Sequence, residues 1–316
     1  MNRDIAEILT TGAVYTDLSS EGLLAIQGTD AVTFLQGQFT NDVRRLAAHY
    51  AQYSGICSPK GRLLSNFLLW QQDDTIYLQL PAALQSFLLK RLSMYVLRSK
   101  VQLAEAAEQW LRVGVAGGGA AHLVESLTGA VAAEAMSVVE SGRVVVLRLA
   151  PDRFQINVPV ADAGDFLAKV EASAERIDLD LWHWLEIRAG IPTIMPATQD
   201  QFVPQMVNFD LTNSVNFQKG CYTGQEIVAR TQYLGRLKRR MYLVHADVAM
   251  AAGDEIFSPE MEGQATGMVV NAQISPAGGW DALAVVQISS AQSQPLHVQT
   301  PEGALLTLEQ LPYAVA

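Results

Sequence analysis

The sequence predicts an α+β protein with a small antiparallel β-barrel at its C-terminal end. Residues 50–80 alternate apolar and polar side chains between turns, which indicates strands joined as hairpins. Residues 82–98 follow directly and carry apolar side chains close to helical spacing. After Arg240 the chain changes to short strand-like runs separated by Gly, Pro, Asp and Ser. Strands interrupted by one long helix are typical of an α+β unit.

Two α+β units are expected before the barrel. Turns at Ser58–Gly61 and Asp73–Asp74 separate the early strands, and Pro81 opens the long helix. The strands predicted for the first unit are 23–26, 50–57, 62–70, 75–80 and 100–104. The second unit is predicted to contain strands 110–116, 143–149 and 153–158 and the helix 161–174.

A helix and a long polar loop are expected to lead into the most distinctive motif. Residues 179–189 form the predicted helix, which carries Trp182 and stops at Gly190. The stretch 196–216 is irregular and rich in Gln, Asn, Phe and Pro. A loop of this length inside a compact domain usually serves function. The barrel strands are predicted at 241–246, 255–257, 267–274, 283–288, 296–299 and 304–308, with the boundary near Leu237.

Composition excludes several classes of protein. The 316 residues are 49% hydrophobic and 17% charged, which predicts a globular protein with an ample core. No apolar run approaches ~20 residues and the start lacks a secretory apolar region, so we expect neither a membrane span nor export. Cys57 and Cys221 are too few for a disulfide framework and are expected to be reduced thiols of the cytoplasm.

Charge is distributed unevenly. The net charge of −10 disfavours a broad surface for nucleic acid. One segment is nevertheless basic, and only Glu226 opposes its positive charges. The basic residues of this segment are Lys219, Arg230, Arg236, Lys238, Arg239 and Arg240. The segment either meets an anion or forms a solvated turn before a strand.

The motif Lys219–Arg230 reads Lys-Gly-Cys-Tyr-Thr-Gly-Gln-Glu-Ile-Val-Ala-Arg. Its glycines allow tight turns, and the residues after Gly224 predict the first turn of a helix. A lysine and a helix N-terminus close to Cys221 would both stabilise its thiolate. The competing interpretation is that Cys221 is a small buried apolar residue, because free cysteines are among the most buried residue types.

Signatures of other chemistry are missing from the sequence. The five histidines are scattered without a metal-ligand spacing, so no metal site is expected. There is no Walker loop and no Gly-x-Ser-x-Gly motif.

The motif and two other stretches resemble a known family. Lys219–Glu226 followed by Arg230 is similar to the signature of the YgfZ-type folate-binding proteins, relatives of the glycine-cleavage T-protein. The stretch 28–43, with Phe-Leu-Gln-Gly-Gln followed by Thr-Asn-Asp-Val, is similar to the family's N-terminal folate-wall segment. Gly190-Ile-Pro, followed by Phe-Val-Pro-Gln and Asn208, is similar to its central loop. The resemblance covers essentially the whole chain and is least distinctive in the barrel.

The resemblance implies a T-protein-like fold, with three domains in a ring around a tetrahydrofolate site. On this basis residues 1–236 would be the folate-binding region, built from 1–106 with 179–236 and from 107–178. Residues 237–316 would be the barrel domain. The resemblance also implies a role in maintaining iron–sulfur enzymes, including ones that modify tRNA. The expected cofactor is tetrahydrofolate or a formyl or methylene derivative.

The resemblance also assigns candidate site residues. Cys221 would be the reactive thiol, favoured by Lys219 and Arg230. Trp182 would lie near the pterin. The cofactor-binding candidates are Trp182, Gln205, Asn208, Tyr222, Gln225, Glu226, Arg188, Gln38 and Asn41. No metal ligand is assigned.

Departures from the T-protein pattern argue against simple transfer of its activity. Ser65-Asn66 stands where the T-protein has an Asp pair, and a neutral amide cannot act as a carboxylate base. Arg188 stands where it has a pterin-binding glutamate, and Glu21 where bacterial relatives have a second folate-associated tryptophan.

The leading hypothesis is a cytoplasmic folate-binding accessory protein whose partners are iron–sulfur client enzymes or assembly proteins. Direct binding of tRNA is not expected from the charge. One alternative is a folate-dependent aminomethyltransferase, and another is a binding module in which Cys221 only packs.

Overall fold

The computed structural model describes residues 5–315 and divides into two compact units. The first unit comprises the chain up to Phe34, Val43–Gln52 and Leu68–Trp182. The second comprises Leu35–Asp42, Tyr53–Phe67 and the chain from His183 onward. Each unit is therefore assembled from separate stretches of sequence.

Eight helices and seventeen strands are defined within residues 5–315. The helices are α1 Ile5–Thr11, α2 Ala31–Gln36, α3 Ala82–Val96, α4 Ala120–Thr128, α5 Ala163–Glu171, α6 Leu179–Arg188, α7 Gln225–Tyr233 and α8 Ile288–Ser293. The first strands are β1 Val14–Asp17, β2 Gly22–Gln27, β3 Gln52–Cys57, β4 Leu63–Gln72, β5 Thr75–Leu80, β6 Gln102–Glu105 and β7 Trp110–Ala116. The next strands are β8 Val138–Ser141, β9 Val144–Ala150, β10 Arg153–Pro159 and β11 Glu175–Arg176. The last strands are β12 Arg239–Ala246, β13 Glu255–Phe257, β14 Ala265–Ile274, β15 Trp280–Gln287, β16 Leu296–Val298 and β17 Leu305–Glu309.

A six-stranded sheet in the first unit has the order β11-β1-β7-β10-β9-β8. One face of β7 and β10 is apolar and packs with α4 and α5 in a single core. Val113 and Phe154 belong to this face. The opposite face of the same two strands carries polar side chains and Gly114, because successive strand residues point to opposite faces.

A five-stranded sheet has the order β3-β4-β5-β2-β6. Strand β4 belongs to both units: Leu63–Phe67 lies in the second, and Leu68–Gln72 pairs with β5 in the first. Helix α3 packs on β2 and buries Leu84, Leu88 and Leu92, which recur at every fourth position.

The barrel in the second unit is closed, in the order β12-β15-β14-β13-β16-β17, and every pair is antiparallel. Alternate residues of β12 and β15 belong to two different apolar clusters. One cluster contains Val244 and Ala284, together with other barrel residues. The other contains Leu243 and Leu283 with residues of β3, β4 and the loop before the motif. The predicted α+β fold with a C-terminal barrel is confirmed.

Several element boundaries differ from the expectations. The long helix stops at Val96 because Leu97 adopts a positive φ of 47°. The predicted helix 161–174 starts with a 3₁₀ turn and ends at Glu171. The polar loop is more regular than expected, with 3₁₀ turns at Pro196–Thr198 and Pro204–Val207. Among the described residues, no helix is long and apolar enough to cross a membrane.

Candidate functional site

The Lys219 side chain anchors the motif to the end of α2 and to the segment that follows it. Its ammonium group donates hydrogen bonds to the carbonyl oxygen of Gln36, at 2.8 Å, and to that of Phe39. The same group lies 5.0 Å from the centre of the Tyr222 ring, which is a cation–π distance. Lys219 is buried, so these contacts replace its hydration. Anchoring of the loop is the role that these contacts give to Lys219.

The two cysteines lie in opposite environments. Cys221 is exposed, whereas Cys57 is fully buried in the core of the second unit. The interpretation of Cys221 as a buried apolar residue is therefore wrong. Its proposed role as a reactive thiol stays a prediction, and its exposure makes it available to a reagent or ligand.

Glycines fix the start of α7 against the β3–β4 turn. Gly224 has a φ of 82°, and a Cβ at this position would lie 2.4 Å from the Ser58 carbonyl oxygen. Gly61 has a φ of 70°, and its Cβ would lie 2.8 Å from Cβ of Ile227. Only glycine fits both demands without strain. The predicted helix start after Gly224 agrees with α7, which begins at Gln225.

The other candidates within the motif differ in exposure. Tyr222 is buried, and burial raises the pKa of its phenol, with the nearby Cys57 adding to the rise. Gln225 is partly buried in the first turn of α7. Glu226 and Arg230 are exposed on this helix. Within the basic segment Arg236 and Lys238 are also exposed.

Arg240 is not available to an external anion. Its guanidinium forms two hydrogen bonds with the Asp210 carboxylate, at 2.6 and 2.8 Å, and a third with the Gln205 carbonyl oxygen. This charge-assisted pair is part of the internal framework. Of the two interpretations of the basic segment, contact with an anion therefore does not extend to Arg240.

The amide side chains of the central loop hold neighbouring elements together. Gln205 donates to the Val228 carbonyl of α7 at 2.7 Å, and Asn208 donates to the Met241 carbonyl of β12 at 2.9 Å. Asn208 has a φ of 60°, which asparagine tolerates better than most residues. Their donors are thus used internally, and a folate role for either residue stays a prediction.

Asn41 has a similar internal role near the start of the second unit. Its Nδ2 donates to the carbonyl oxygens of Tyr53, at 3.0 Å, and Asn213, at 2.7 Å. Gln38 is partly buried on the same segment. The hydrogen bonds of Asn41 and Lys219 therefore fix the segment 35–42 next to the motif.

Arg188 belongs to a charged cluster at one edge of the barrel. It pairs with Glu309, and its Nη1 lies 3.5 Å from Oδ2 of the buried Asp281. Asp281 also accepts from Trp184 Nε1 and contacts His245 Nδ1, each at 2.7 Å. These partners use the Arg188 guanidinium, and its assignment to the cofactor stays a prediction.

The same cluster brings one histidine close to two acidic side chains, and the expectation that the protein has no metal site stays a prediction. Ligand atoms of His245, Asp281 and Glu309 lie within 4.8 Å of one another. The histidine and the two acids are far apart in sequence, so no spacing motif indicated them. Arg188 already supplies the positive charge that the carboxylates need.

The positions that replace the T-protein's Asp pair are buried. Ser65 is fully buried, and Asn66 is held on both sides of its amide. Asn66 Nδ2 donates to the Pro192 carbonyl at 2.7 Å, and its Oδ1 accepts from the Ile194 N–H at 2.7 Å. An aspartate could not reproduce both bonds, because a carboxylate has no donor.

Trp182 lies against the polar face of the six-stranded sheet. Its ring packs on Gly114, where a Cβ would lie 2.7 Å from Cζ3. The Arg153 guanidinium lies over the ring, 5.7 Å from its centre. Trp182 and Arg153 belong to the first unit, whereas Cys221 belongs to the second.

A buried network of side chains continues along this polar face. Gln79 and Gln155 exchange hydrogen bonds at 2.8 and 3.2 Å, and Gln155 also donates to Asn157 Oδ1 at 2.9 Å. Arg112 donates to Gln79 at 3.1 Å. Sequence reasoning missed these residues. The alternation Arg-x-Gln-x-Asn in 153–157 was the available signal, but alternation alone predicts a solvated face.

Comparisons with known proteins agree with this architecture. A family model described as the GCVT N-terminal domain matches residues 3–151. The crystal structure of glycine cleavage system aminomethyltransferase T from Bartonella henselae superposes with a TM-score of 0.79 at 19% identity. The superposition covers 96% of this chain and 87% of the Bartonella henselae chain. The chain thus has the fold of the glycine-cleavage T-protein.

Similarity of sequence then identifies the family. A protein of Serratia proteamaculans (strain 568) is 31% identical over 306 residues, covering 95% of this chain and 92% of its own. One of Yersinia pseudotuberculosis serotype O:1b (strain IP 31758) is 33% identical with the same coverage. Both are named tRNA-modifying protein YgfZ. This chain belongs to the YgfZ family, as the motifs indicated.

Proposed function

We propose that this protein is a tetrahydrofolate-binding accessory protein that supports iron–sulfur enzymes, among them enzymes that modify tRNA. The observation that carries the proposal is the exposed Cys221 on a loop fixed by Lys219, Gly224 and Tyr222. A cysteine with only a packing role would be buried, as Cys57 is, whereas Cys221 is exposed. The relatives' name supports the link to tRNA modification, and the T-protein fold supports folate as the ligand.

In this proposal Cys221 is the reactive thiol beside the bound folate, and it stays reduced because the protein works in the cytoplasm. The clients are iron–sulfur enzymes or their assembly proteins. The acidic net charge supports an indirect role in tRNA modification rather than binding of tRNA itself.

The experiment compares Cys221→Ser with Cys57→Ser in cells that lack the endogenous protein. Modified nucleosides made by iron–sulfur enzymes are quantified in tRNA, and folate binding is measured on the purified variants. Cys221→Ser should fold, bind tetrahydrofolate and fail to restore the modified nucleosides. Full restoration by Cys221→Ser would refute the role of the thiol.

Aminomethyl transfer is the competing function, favoured by the shared fold. The neutral, internally bonded Ser65 and Asn66 weigh against it, because neither supplies a carboxylate for the folate amine. Glycine-cleavage turnover by the purified protein with its lipoyl partner protein would favour the competing function.

A further inference from the structure

We infer that Arg153 binds a coplanar pair of acceptor atoms on the ligand, and that the Trp182 ring positions the Arg153 guanidinium. The inference deepens the proposed function, which supplies the ligand's identity, whereas the site rests on the geometry of the first unit. Arg153 is only 4% exposed, yet within residues 5–315 its Nε and Nη2 have no hydrogen-bond partner. An unpaired buried donor is costly, and a buried charge without a partner is more so.

The unpaired atoms of Arg153 form one edge of its guanidinium plane. That edge presents two parallel N–H groups, which match two coplanar acceptors such as the oxygens of a carboxylate. The guanidinium carbon lies over the Trp182 ring, 5.7 Å from its centre, and Gly114 leaves room for that ring. Arg153 is thus held by a flat apolar surface that takes none of its hydrogen bonds.

A neighbouring arginine of the same sheet shows the contrast. Arg148 lies over Phe154 and donates to four backbone carbonyl oxygens. Arg148 is therefore saturated with internal acceptors, and Arg112 of the same sheet donates to three acceptors and leaves only its Nε unpaired. Arg153 differs because its stacking partner is present and its acceptors are missing.

A second unpaired donor lies on the same face of β10. Asn157 is 1% exposed, and its Nδ2 has no partner among the described residues. Its Oδ1 is already used by Gln155. The unpaired groups of Arg153 and Asn157 are all donors, so a ligand on this face would have to offer acceptors.

Tetrahydrofolate offers such an acceptor pair in the carboxylates of its glutamate tail. The pterin carbonyl oxygen is a single acceptor, because the ring nitrogens on either side of it carry hydrogen in the reduced ring and donate. The inference therefore assigns the Arg153 edge to a carboxylate, and separate probes test the tail and the pterin.

The test uses calorimetric titration of the full chain with three probes under anaerobic conditions. These are tetrahydrofolate, 6-methyltetrahydropterin without a tail, and p-aminobenzoylglutamate without a pterin. Arg153→Met should weaken tetrahydrofolate binding by about tenfold to a hundredfold. Arg153→Lys, which keeps the charge but not the fork, should bind less tightly than wild type. The control Arg143→Met removes an exposed arginine paired with Asp162 and should bind as wild type.

Stability separates a binding role from a structural one. Arg153→Met should leave the urea midpoint unchanged or raise it, because it removes a buried charged group whose Nε and Nη2 have no acceptor. Binding of p-aminobenzoylglutamate to wild type and its loss in Arg153→Met would identify the tail carboxylate as the acceptor pair, whereas loss of 6-methyltetrahydropterin binding alone would overturn that assignment.

Equal tetrahydrofolate affinity of wild type and Arg153→Met, within about twofold, would overturn the inference and leave the proposed function standing. If wild-type protein binds a partial probe through Arg153 but does not bind tetrahydrofolate, the proposed function is overturned and the inference about Arg153 stands. Binding of none of the three probes would overturn both.

Discussion

At the scale of single residues, the two thiols differ in their accessibility to reagents. Cys221 is exposed and Cys57 is fully buried. In the native protein iodoacetamide should alkylate Cys221 and leave Cys57 unmodified until the second unit unfolds. Peptide mass spectrometry, with and without urea, measures both sites in one sample. Alkylation of Cys57 at the rate of Cys221 in native protein would contradict the burial described here.

Asn66 allows a test of the missing carboxylate. In Asn66→Asp the donor to Pro192 is lost, and a negative charge faces a carbonyl oxygen in a buried site. We expect the free energy of unfolding to fall by about 1–3 kcal/mol, with no gain of aminomethyltransferase activity. Urea denaturation and a glycine-cleavage assay measure the two effects. Activity gained without loss of stability would show that the site accepts a carboxylate.

Tyr313 predicts how stability changes at high pH. Burial raises the pKa of its phenol from 10.0 to about 12 in the folded protein. The folded state therefore binds this proton more tightly, so its contribution is complete below pH 10.0 and is lost as the pH rises towards about 12. Tyr313→Phe should show a smaller loss of stability over this range. Urea midpoints at several pH values measure it, and identical profiles would exclude this tyrosine as a cause.

At the scale of elements, the start of α7 depends on Gly224. An alanine there combines a positive φ with a close contact to the Ser58 carbonyl oxygen. Gly224→Ala should lower the free energy of unfolding by more than about 1 kcal/mol and displace the motif. Gly220→Ala is the matched control in the same motif, because a Cβ there meets nothing within 4 Å. Equal stability of the two variants in urea denaturation would contradict this account.

Elements with a strong local signal could be predicted from the sequence. The helix start after Gly224 and the barrel strand expected at 267–274, observed as Ala265–Ile274, have such signals in glycine placement and alternation. The polar side of β10 could not be predicted in the same way. Alternation separates Arg153 from Phe154 but does not show whether the polar side meets solvent, and here it is buried. The charged cluster at Asp281 depends on residues distant in sequence, which no local pattern joins.

At the scale of the whole molecule, the second unit has a core shared by the barrel and the earlier chain. Cys57, Phe202 and Leu283 belong to one apolar cluster. A fragment ending at residue 236 should therefore lose hydrogen-exchange protection in the β3–β4 hairpin, because the barrel side of this core is removed. Protection equal to that of the full chain would show that the hairpin folds without the barrel.

The division of the chain has a further consequence during synthesis. The polypeptide passes between the two units five times, and the second unit is completed only by the chain from His183 onward. As the ribosome releases the chain, Cys57 and Leu63 emerge long before the residues that bury them. These apolar strands stay uncovered while the first unit is translated, which is when a nascent chain most needs a chaperone. A premature stop after Trp182 would leave them permanently without their core.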